Sequence, residues 1–249
     1  MMKSSKNTDT LYPTEFVNYT TDEVEKHEHI LELIKTEPLF THLKSQTGLR
    51  FLDLGCRVPT FLEMCYHMFN VEVLEGVELN TEEQCIRDFL DTATPSKENT
   101  GDYERALKCN NFFELYLQMV KPDLNDGEPP LMSSQEEFRE NIKIRFEVDI
   151  RDFLRLTDEK YDFVNATNVL HFLEDSDELE EVLFHIRRIL LPGGFVVIRL
   201  QNNWYRQTYL NFNRIKESLK KNFKIGISID SYRKAPGCSS TGSIRLCCH

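Results

Sequence analysis

Short apolar runs alternate along the chain with longer segments whose apolar residues recur every three or four positions. The runs are typical of buried strands, and the longer segments are typical of helices with one buried face. Because the two kinds of segment alternate, the pattern predicts an α/β fold with a doubly wound, mostly parallel sheet and helices on both faces. Seven strands are predicted, at about 49–54, 71–78, 144–149, 161–165, 195–198, 224–230 and 243–248.

Capping residues mark the starts of several predicted helices. Thr20 with Glu23 forms a capping box, Thr81 precedes an apolar stripe, and Asp175 with Glu178 forms a second box. Pro192 and the two glycines that follow it end the last of these helices sharply. Helices are therefore predicted at about 20–35, 59–69, 81–90, 102–120, 175–190 and 203–221.

The spacing of these elements predicts the domain organisation. Residues 1–48 form an N-terminal arm and helix, and residues 49–249 form a Rossmann-like domain. About fifty residues separate the helix that ends near residue 90 from the third strand, which far exceeds a usual connection. Residues 92–142 are therefore an insertion with an aromatic-rich helix and an acidic loop. That helix must be buried, and together with the N-terminal helix it could form a lid.

The ends of the first two strands carry the chemistry. The first strand leads through Asp53 into a turn at Gly55, and the second strand ends at Glu78. A strand, a tight turn, a helix and a strand that ends in a carboxylate begin many nucleotide-type sites, where the carboxylate accepts hydrogen bonds from a ribose. We therefore expect a ligand crevice at the carboxyl ends of the first strands, where the strand order reverses.

The chain resembles the class I S-adenosylmethionine-dependent methyltransferases over residues 49–249. Their opening motif reads (D/E)-x-G-x-G-x-G; Asp53 and Gly55 match it, whereas Arg57 and Pro59 stand where the next two glycines belong. Further motifs of the family resemble the segments 76–80, 146–150, 161–173 and 190–195. The resemblance implies that the last two strands form an antiparallel hairpin at the edge of the sheet.

The resemblance also implies a cofactor and a set of residues that hold it. Glu78 would bind the ribose, Asp149 would approach the adenine amino group unless Asp152 does so, and Asn165 would hold the methionine portion or satisfy backbone groups. Asp53 would line the crevice or cap the turn. The residues expected to bind S-adenosylmethionine are Asp53, Gly55, Cys56, Arg57, Glu78, Leu79, Asp149, Ile150 and Asn165.

Three further residues are candidates for the acceptor side of the site. His171 follows the fourth strand and is the candidate general base, although histidines at this place in the family are often structural. Trp204 and Tyr205 follow the fifth strand, where they would form a substrate wall or pack in the core. The resemblance implies in-line methyl transfer in which positioning is the main catalytic effect.

Arg57 leaves two functions open. Its side chain could pair with the carboxylate of the cofactor in a rebuilt loop, or it could fill the pocket. The first interpretation is a methyltransferase that acts on a small molecule, or less readily on a protein side chain. The alternative is a non-catalytic, degenerate member of the fold that serves as a binding or regulatory protein. A nicotinamide-dependent oxidoreductase is disfavoured, because its phosphates need the missing glycines.

Charge and cysteine content restrict the partners. The formal net charge is −11, so a nucleic-acid substrate is disfavoured. Residues 201–249 nevertheless carry nine basic and two acidic residues. This basic end could face an acidic partner or form a solvated helix face. The seven cysteines predict free thiols rather than a metal site. Without an apolar membrane span or a signal peptide, the sequence predicts a cytoplasmic protein.

Overall fold

A computed structural model describes residues 38–92, 108–119, 132–167, 169–173, 176–200, 218, 221, 225–231 and 242–247. Its strands form one seven-stranded sheet in the order β3-β2-β1-β4-β5-β7-β6. Pairing is parallel from β3 to β5, and β7 runs antiparallel to both β5 and β6. The predicted fold class and edge hairpin are confirmed. The strands are β1 Leu49–Leu54, β2 Val71–Val77, β3 Ile142–Arg145, β4 Tyr161–Thr167, β5 Leu190–Leu200, β6 Ile225–Ser231 and β7 Gly242–Cys247.

In the described ranges one helix precedes β1, and the others connect the parallel strands. They are α1 Pro38–Ser45, α2 Thr60–Met68, α3 Glu82–Thr92, α4 Phe112–Met119, α5 Gln135–Asn141, α6 Ile150–Leu156 and α7 Ser176–Ile189. None of them is long and apolar enough to cross a membrane. The helix predicted at 20–35 lies outside the described residues. The helix predicted at 203–221 is described only at Ser218 and Lys221, and both are helical.

Each face of the sheet has its own apolar core, because successive side chains of a strand point to opposite faces. On the first face, Phe51 contacts three other rings at centroid distances of 5.4–6.4 Å, those of Phe61, Phe69 and Phe163. On the second face, residues of β1 and β4 such as Leu52 and Val164 share a core with α6 and α7. Helices therefore cover both faces, as the sequence predicts.

The inserted helix belongs to the first core. Phe112, Leu115 and Tyr116 of α4 are buried, which confirms that this helix packs against the body. Tyr116 shares a 3.0 Å hydrogen bond with Nε2 of the buried His67 in α2. In the described range the helix is Phe112–Met119, and Asn111 caps it by accepting from the Glu114 amide at 2.9 Å. The start predicted near residue 102 lies outside the described residues.

Three short helices and several strand boundaries differ from the prediction. Helices α1, α5 and α6 were predicted as connecting segments or strand. Strand β3 ends at Arg145 rather than at residue 149, because Glu147 has a φ of 58° and Asp149 caps α6. Strand β5 begins directly after α7, and its pairing with β4 bulges between Leu190 and Phe195, where Gly193 has a φ of 82°.

Candidate functional site

The carboxyl ends of β2, β1 and β4 bring several predicted residues into one row. Asp53 on β1 lies in register with Gly76 on β2 and with Asn165 on β4. Because these strands are parallel, the turns that follow them leave the sheet at the same edge. This edge is the place where the sequence predicts a ligand crevice.

A buried polar chain joins β1 to β4 at this edge. Asn165 donates from Nδ2 to Oδ1 of Asp53 at 2.7 Å, and Thr167 donates from its hydroxyl to Oδ1 of Asn165 at 2.6 Å. All three residues are buried. The side-chain amide of Asn165 thus donates one hydrogen bond and accepts another, and the two bonds fix its orientation. Asp53 is therefore hydrogen-bonded to a side chain of β4 and not only to its own turn.

Gly55 makes the turn after β1 as tight as the sequence predicts. Its φ is 65°, and a Cβ atom there would lie 2.7 Å from Cγ2 of Val169, beyond β4. The amides of Gly55 and Cys56 both donate to the carbonyl of Val77, at 2.8 and 3.2 Å. The loop is therefore held between the ends of β2 and β4, and only glycine fits at its first position.

Gly76 contacts the loop after β1, and the sequence analysis did not identify this contact. A Cβ atom on Gly76 would lie 2.8 Å from Sγ of Cys56 and 2.7 Å from Cδ1 of Ile144. The glycine therefore makes room for the buried side chain of Cys56 beneath the loop. A glycine inside an otherwise apolar strand is the signal that could have indicated this close contact.

Arg57 adopts a backbone conformation that favours glycine. Its φ is 51°, in the left-handed region that favours glycine. Its amide donates to Oε2 of Glu78 at 2.8 Å. Its guanidinium donates from Nη2 to the Asp88 carbonyl of α3 at 2.8 Å, which anchors the loop to that helix.

Glu78 is mostly buried at the end of β2, and both of its carboxylate oxygens accept backbone hydrogen bonds. Oε2 accepts from Arg57, and Oε1 accepts from the Asn80 amide at 3.0 Å. The backbone of Glu78 also continues the pairing with β3, donating to Arg145 at 2.9 Å and accepting from Val148 at 3.0 Å. The carboxylate thus fixes the loop after β1 and the turn after β2 at once.

Leu79, Asp149 and Ile150 border this arrangement. Leu79 is 64% exposed beside Glu78, an unusual position for a large apolar side chain. Asp149 caps α6 by accepting from the Arg151 amide at 2.8 Å, and it also pairs with the Arg151 guanidinium. That hydrogen-bonded guanidinium lowers the pKa of Asp149 below its usual range. Ile150 packs partly against the second core.

The acceptor-side candidates are described only in part. His171 lies in the short 3-10 turn Leu170–Phe172 that follows β4, on the same edge of the sheet as the crevice. Trp204 and Tyr205 lie outside the described residues. No group of three residues able to hold a metal ion occurs within the described ranges. Among the described residues, Cys56, Cys65, Cys85 and Cys109 form no disulfide bond.

A second buried polar group, which the sequence analysis did not identify, lies on the other face of β2. The hydroxyl of Tyr161 donates to Oε2 of Glu75 at 2.5 Å, and the Arg145 guanidinium donates to the other oxygen. Burial is the main cause that raises the pKa of Tyr161. The group joins β2, β3 and β4.

The fold is an α/β fold in which polar side chains meet at the carboxyl ends of β1, β2 and β4. Residues 26–223 match a family model described as a methyltransferase domain. The chain therefore belongs to this methyltransferase domain family.

Solved structures agree with this fold. The N-methyltransferase NodS of Bradyrhizobium japonicum, solved with S-adenosyl-L-homocysteine, is 15% identical, with a TM-score of 0.50 over 92% of this chain and 88% of that one. A SAM-dependent methyltransferase of Archaeoglobus fulgidus is 13% identical, with a TM-score of 0.51 over 90% of this chain and 96% of that one. No curated protein matches the chain.

The family implies S-adenosylmethionine as cofactor, and the Glu78 carboxylate at the end of β2 fits the ribose of this cofactor. A carboxylate has about four acceptor directions. Glu78 uses one on the amide of Arg57 and one on that of Asn80. The remaining directions suit the two hydroxyl groups of a ribose. The guanidinium of Arg57 reaches the carbonyl of Asp88 in α3, so it has a partner other than the cofactor.

Proposed function

We propose that this methyltransferase binds S-adenosylmethionine at the ends of β1, β2 and β4 and methylates a small-molecule acceptor. The observation that carries the proposal is the Glu78 carboxylate, which the amides of Arg57 and Asn80 hold at the end of β2. The fixed carboxylate needs no reorganisation to accept a ribose diol. On this proposal, the loop around Arg57 is rebuilt but still able to bind the cofactor.

The chain's residues act mainly by positioning. When bound, the cofactor supplies a methyl group that is already activated on a sulfonium. Glu78 would orient the ribose, and Asn165, fixed by Asp53 and Thr167, would present a rigid polar surface beside it. His171, in the turn after β4, would accept a proton if the acceptor must lose one.

The charge of the chain supports a small molecule as the methyl acceptor. The net charge of −11 disfavours nucleic acid as the substrate. The basic residues of 201–249 would attract an acidic small molecule, or less readily an acidic protein partner. Trp204 and Tyr205 would form the wall against which it lies. A cytoplasmic location stays a prediction.

Calorimetric titration with S-adenosylmethionine and S-adenosylhomocysteine tests the cofactor part of the proposal. Micromolar binding of either is expected, and a folded sample that binds neither would favour the non-catalytic alternative. The acceptor part is tested by incubating the protein with a methyl-labelled cofactor and a cell extract separated by size. Label in a small product that separates from the cofactor supports a small acceptor, and label transferred only to protein contradicts it.

A further inference from the structure

A cavity of about 320 Å³ opens beside β3, at the edge of the sheet farthest from β5. It lies among α4, α5, the first turn of α3 and β3. None of its lining residues belongs to the crevice described above. Its apolar lining consists of four phenylalanines and two isoleucines, which are Phe112, Phe113, Phe138, Ile142, Ile144 and Phe146.

Aromatic rings shape this cavity. Phe112 and Phe146 contact each other at a centroid distance of 5.6 Å, and Phe113 and Phe138 do so at 6.1 Å. Phe112 and Phe138 are buried, whereas Phe113 and Phe146 are partly exposed. Buried rings form the floor and partly exposed rings form the walls. Such a space suits a flat apolar group, which can stack on one ring and meet others edge-on.

The charged residues at the cavity are not balanced. Oε1 of Glu82 accepts from the Phe112 amide at 2.7 Å, and Oε2 lies 3.5 Å from Nη2 of Arg139. Arg139 and Lys143 are exposed at the opening. Two cations against one carboxylate leave a positive rim on a chain whose net charge is −11. A positive rim around an aromatic interior complements a ligand that carries a ring and a carboxylate.

We propose that this cavity is a second binding site, which takes a small planar aromatic carboxylate. The ring would lie between Phe113 and Phe146, and the carboxylate would face Arg139 and Lys143. The site goes beyond methyl transfer, because it lies at the β3 edge and shares no residue with the crevice.

Titration of the full chain with indole-3-acetate, followed by calorimetry and NMR, tests the proposal. For a ligand of this size, a dissociation constant of about 1 mM is expected. Indole and tryptamine keep the ring but lack the carboxylate, so both should bind more weakly.

Arg139→Gln and Lys143→Gln should each weaken the binding of indole-3-acetate about three- to fivefold, the upper range for an exposed ion pair. Arg87→Gln removes an exposed arginine outside the cavity and should change nothing.

The remaining outcomes separate this site from the cofactor site. Binding of indole-3-acetate should persist with saturating S-adenosylhomocysteine and in Glu78→Ala, whether or not the cofactor binds. Phe113→Trp, which fills the cavity from a partly exposed position, should abolish it. The proposal is wrong if no probe binds up to about 10 mM, tenfold above the expected constant. It is equally wrong if all three probes bind alike, if the charge variants bind normally, or if the cofactor competes.

Discussion

The amide of Arg57 donates a 2.8 Å hydrogen bond to Oε2 of Glu78 across 21 positions of sequence. The bond requires the left-handed backbone that a glycine would adopt, and Arg57 adopts it with a φ of 51°. Because the donor is the backbone, the bond does not depend on the identity of the side chain. Arg57 thus stands where the family motif has a glycine and holds a backbone conformation that glycine adopts readily.

Arg57→Gly and Arg57→Ala together measure the strain at this position. Both variants lose the guanidinium bond to the Asp88 carbonyl, but only Arg57→Ala keeps a side chain in the left-handed conformation. We expect Arg57→Gly to be more stable than Arg57→Ala by about 1 kcal/mol, the lower cost of a left-handed non-glycine residue. Denaturant unfolding measures the difference.

Arg57→Pro is the matched test of the amide. Proline has no N–H and cannot reach a φ of 51°, so the bond to Glu78 must break. We expect Arg57→Pro to lose cofactor affinity, whereas Arg57→Gly retains it. If Arg57→Gly instead created binding that the natural chain lacks, the arginine would be blocking the pocket and the non-catalytic alternative would hold.

Glu78→Ala should weaken the binding of S-adenosylhomocysteine by about 1.5–3 kcal/mol, the range for a hydrogen bond to a charged group. This corresponds to roughly a ten- to hundredfold higher dissociation constant in calorimetry. Glu78→Gln keeps the size and one acceptor oxygen, so its loss should be smaller. Glu83→Ala removes an exposed carboxylate of α3 and serves as the control. Unchanged affinity in Glu78→Ala would mean that the ribose lies elsewhere.

Gly55→Ala should be more destabilising than Gly193→Ala, although both glycines have a positive φ. A Cβ atom on Gly55 meets Val169 at 2.7 Å, whereas a Cβ atom on Gly193 meets nothing within 4 Å. Both variants carry the backbone strain, and only Gly55→Ala adds overpacking, which costs about 1–3 kcal/mol. Thermal unfolding compares them, and Val169→Ala should partly rescue Gly55→Ala. Equal losses would mean that the loop moves away from β4 at no cost.

The parallel strands of the fold could be predicted because their buried runs are continuous and their ends are marked by particular residues. The bounds of β1 were correct, and the helix after it begins next to Pro59 as expected. The short helices were missed because seven or eight residues give too little periodicity to detect. For α5 a signal existed, since Ser134 accepts from the Glu137 amide at 3.1 Å in a capping arrangement.

Polar candidates at the strand ends could be identified from the sequence, whereas the contacts between them could not. Asp53, Glu78 and Asn165 were identified because polar residues at the ends of buried strands have no packing purpose. The bond from Asn165 to Asp53 depends on the register of β1 and β4, which sequence spacing alone does not determine. The direction of the Arg57 side chain likewise depends on where α3 lies. The sequence alone therefore could not decide whether this side chain pairs with the cofactor or fills the pocket.

His185 gives the fold a pH dependence that is independent of the cofactor site. Its side chain is largely buried on α7, and its Nδ1 has no hydrogen-bond partner among the described residues. Burial lowers the pKa of His185 below 6.5, and the nearby Arg188 and Arg155 act in the same direction. Glu181, whose carboxylate lies 3.8 Å from Nε2, opposes them without reversing the shift.

A lowered histidine pKa means that the unfolded chain takes up the proton more readily than the folded one. Stability from neutral His185 is therefore present above about pH 6.5 and is lost as the pH falls below it. In His185→Gln, the free energy of unfolding should fall less steeply between about pH 7 and pH 5.5 than in the natural chain. Denaturant unfolding across this range measures the slopes, and NMR titration of the His185 ring measures the pKa directly. A ring pKa above 6.5 would show that Glu181 outweighs burial, and the slopes would then differ in the opposite sense.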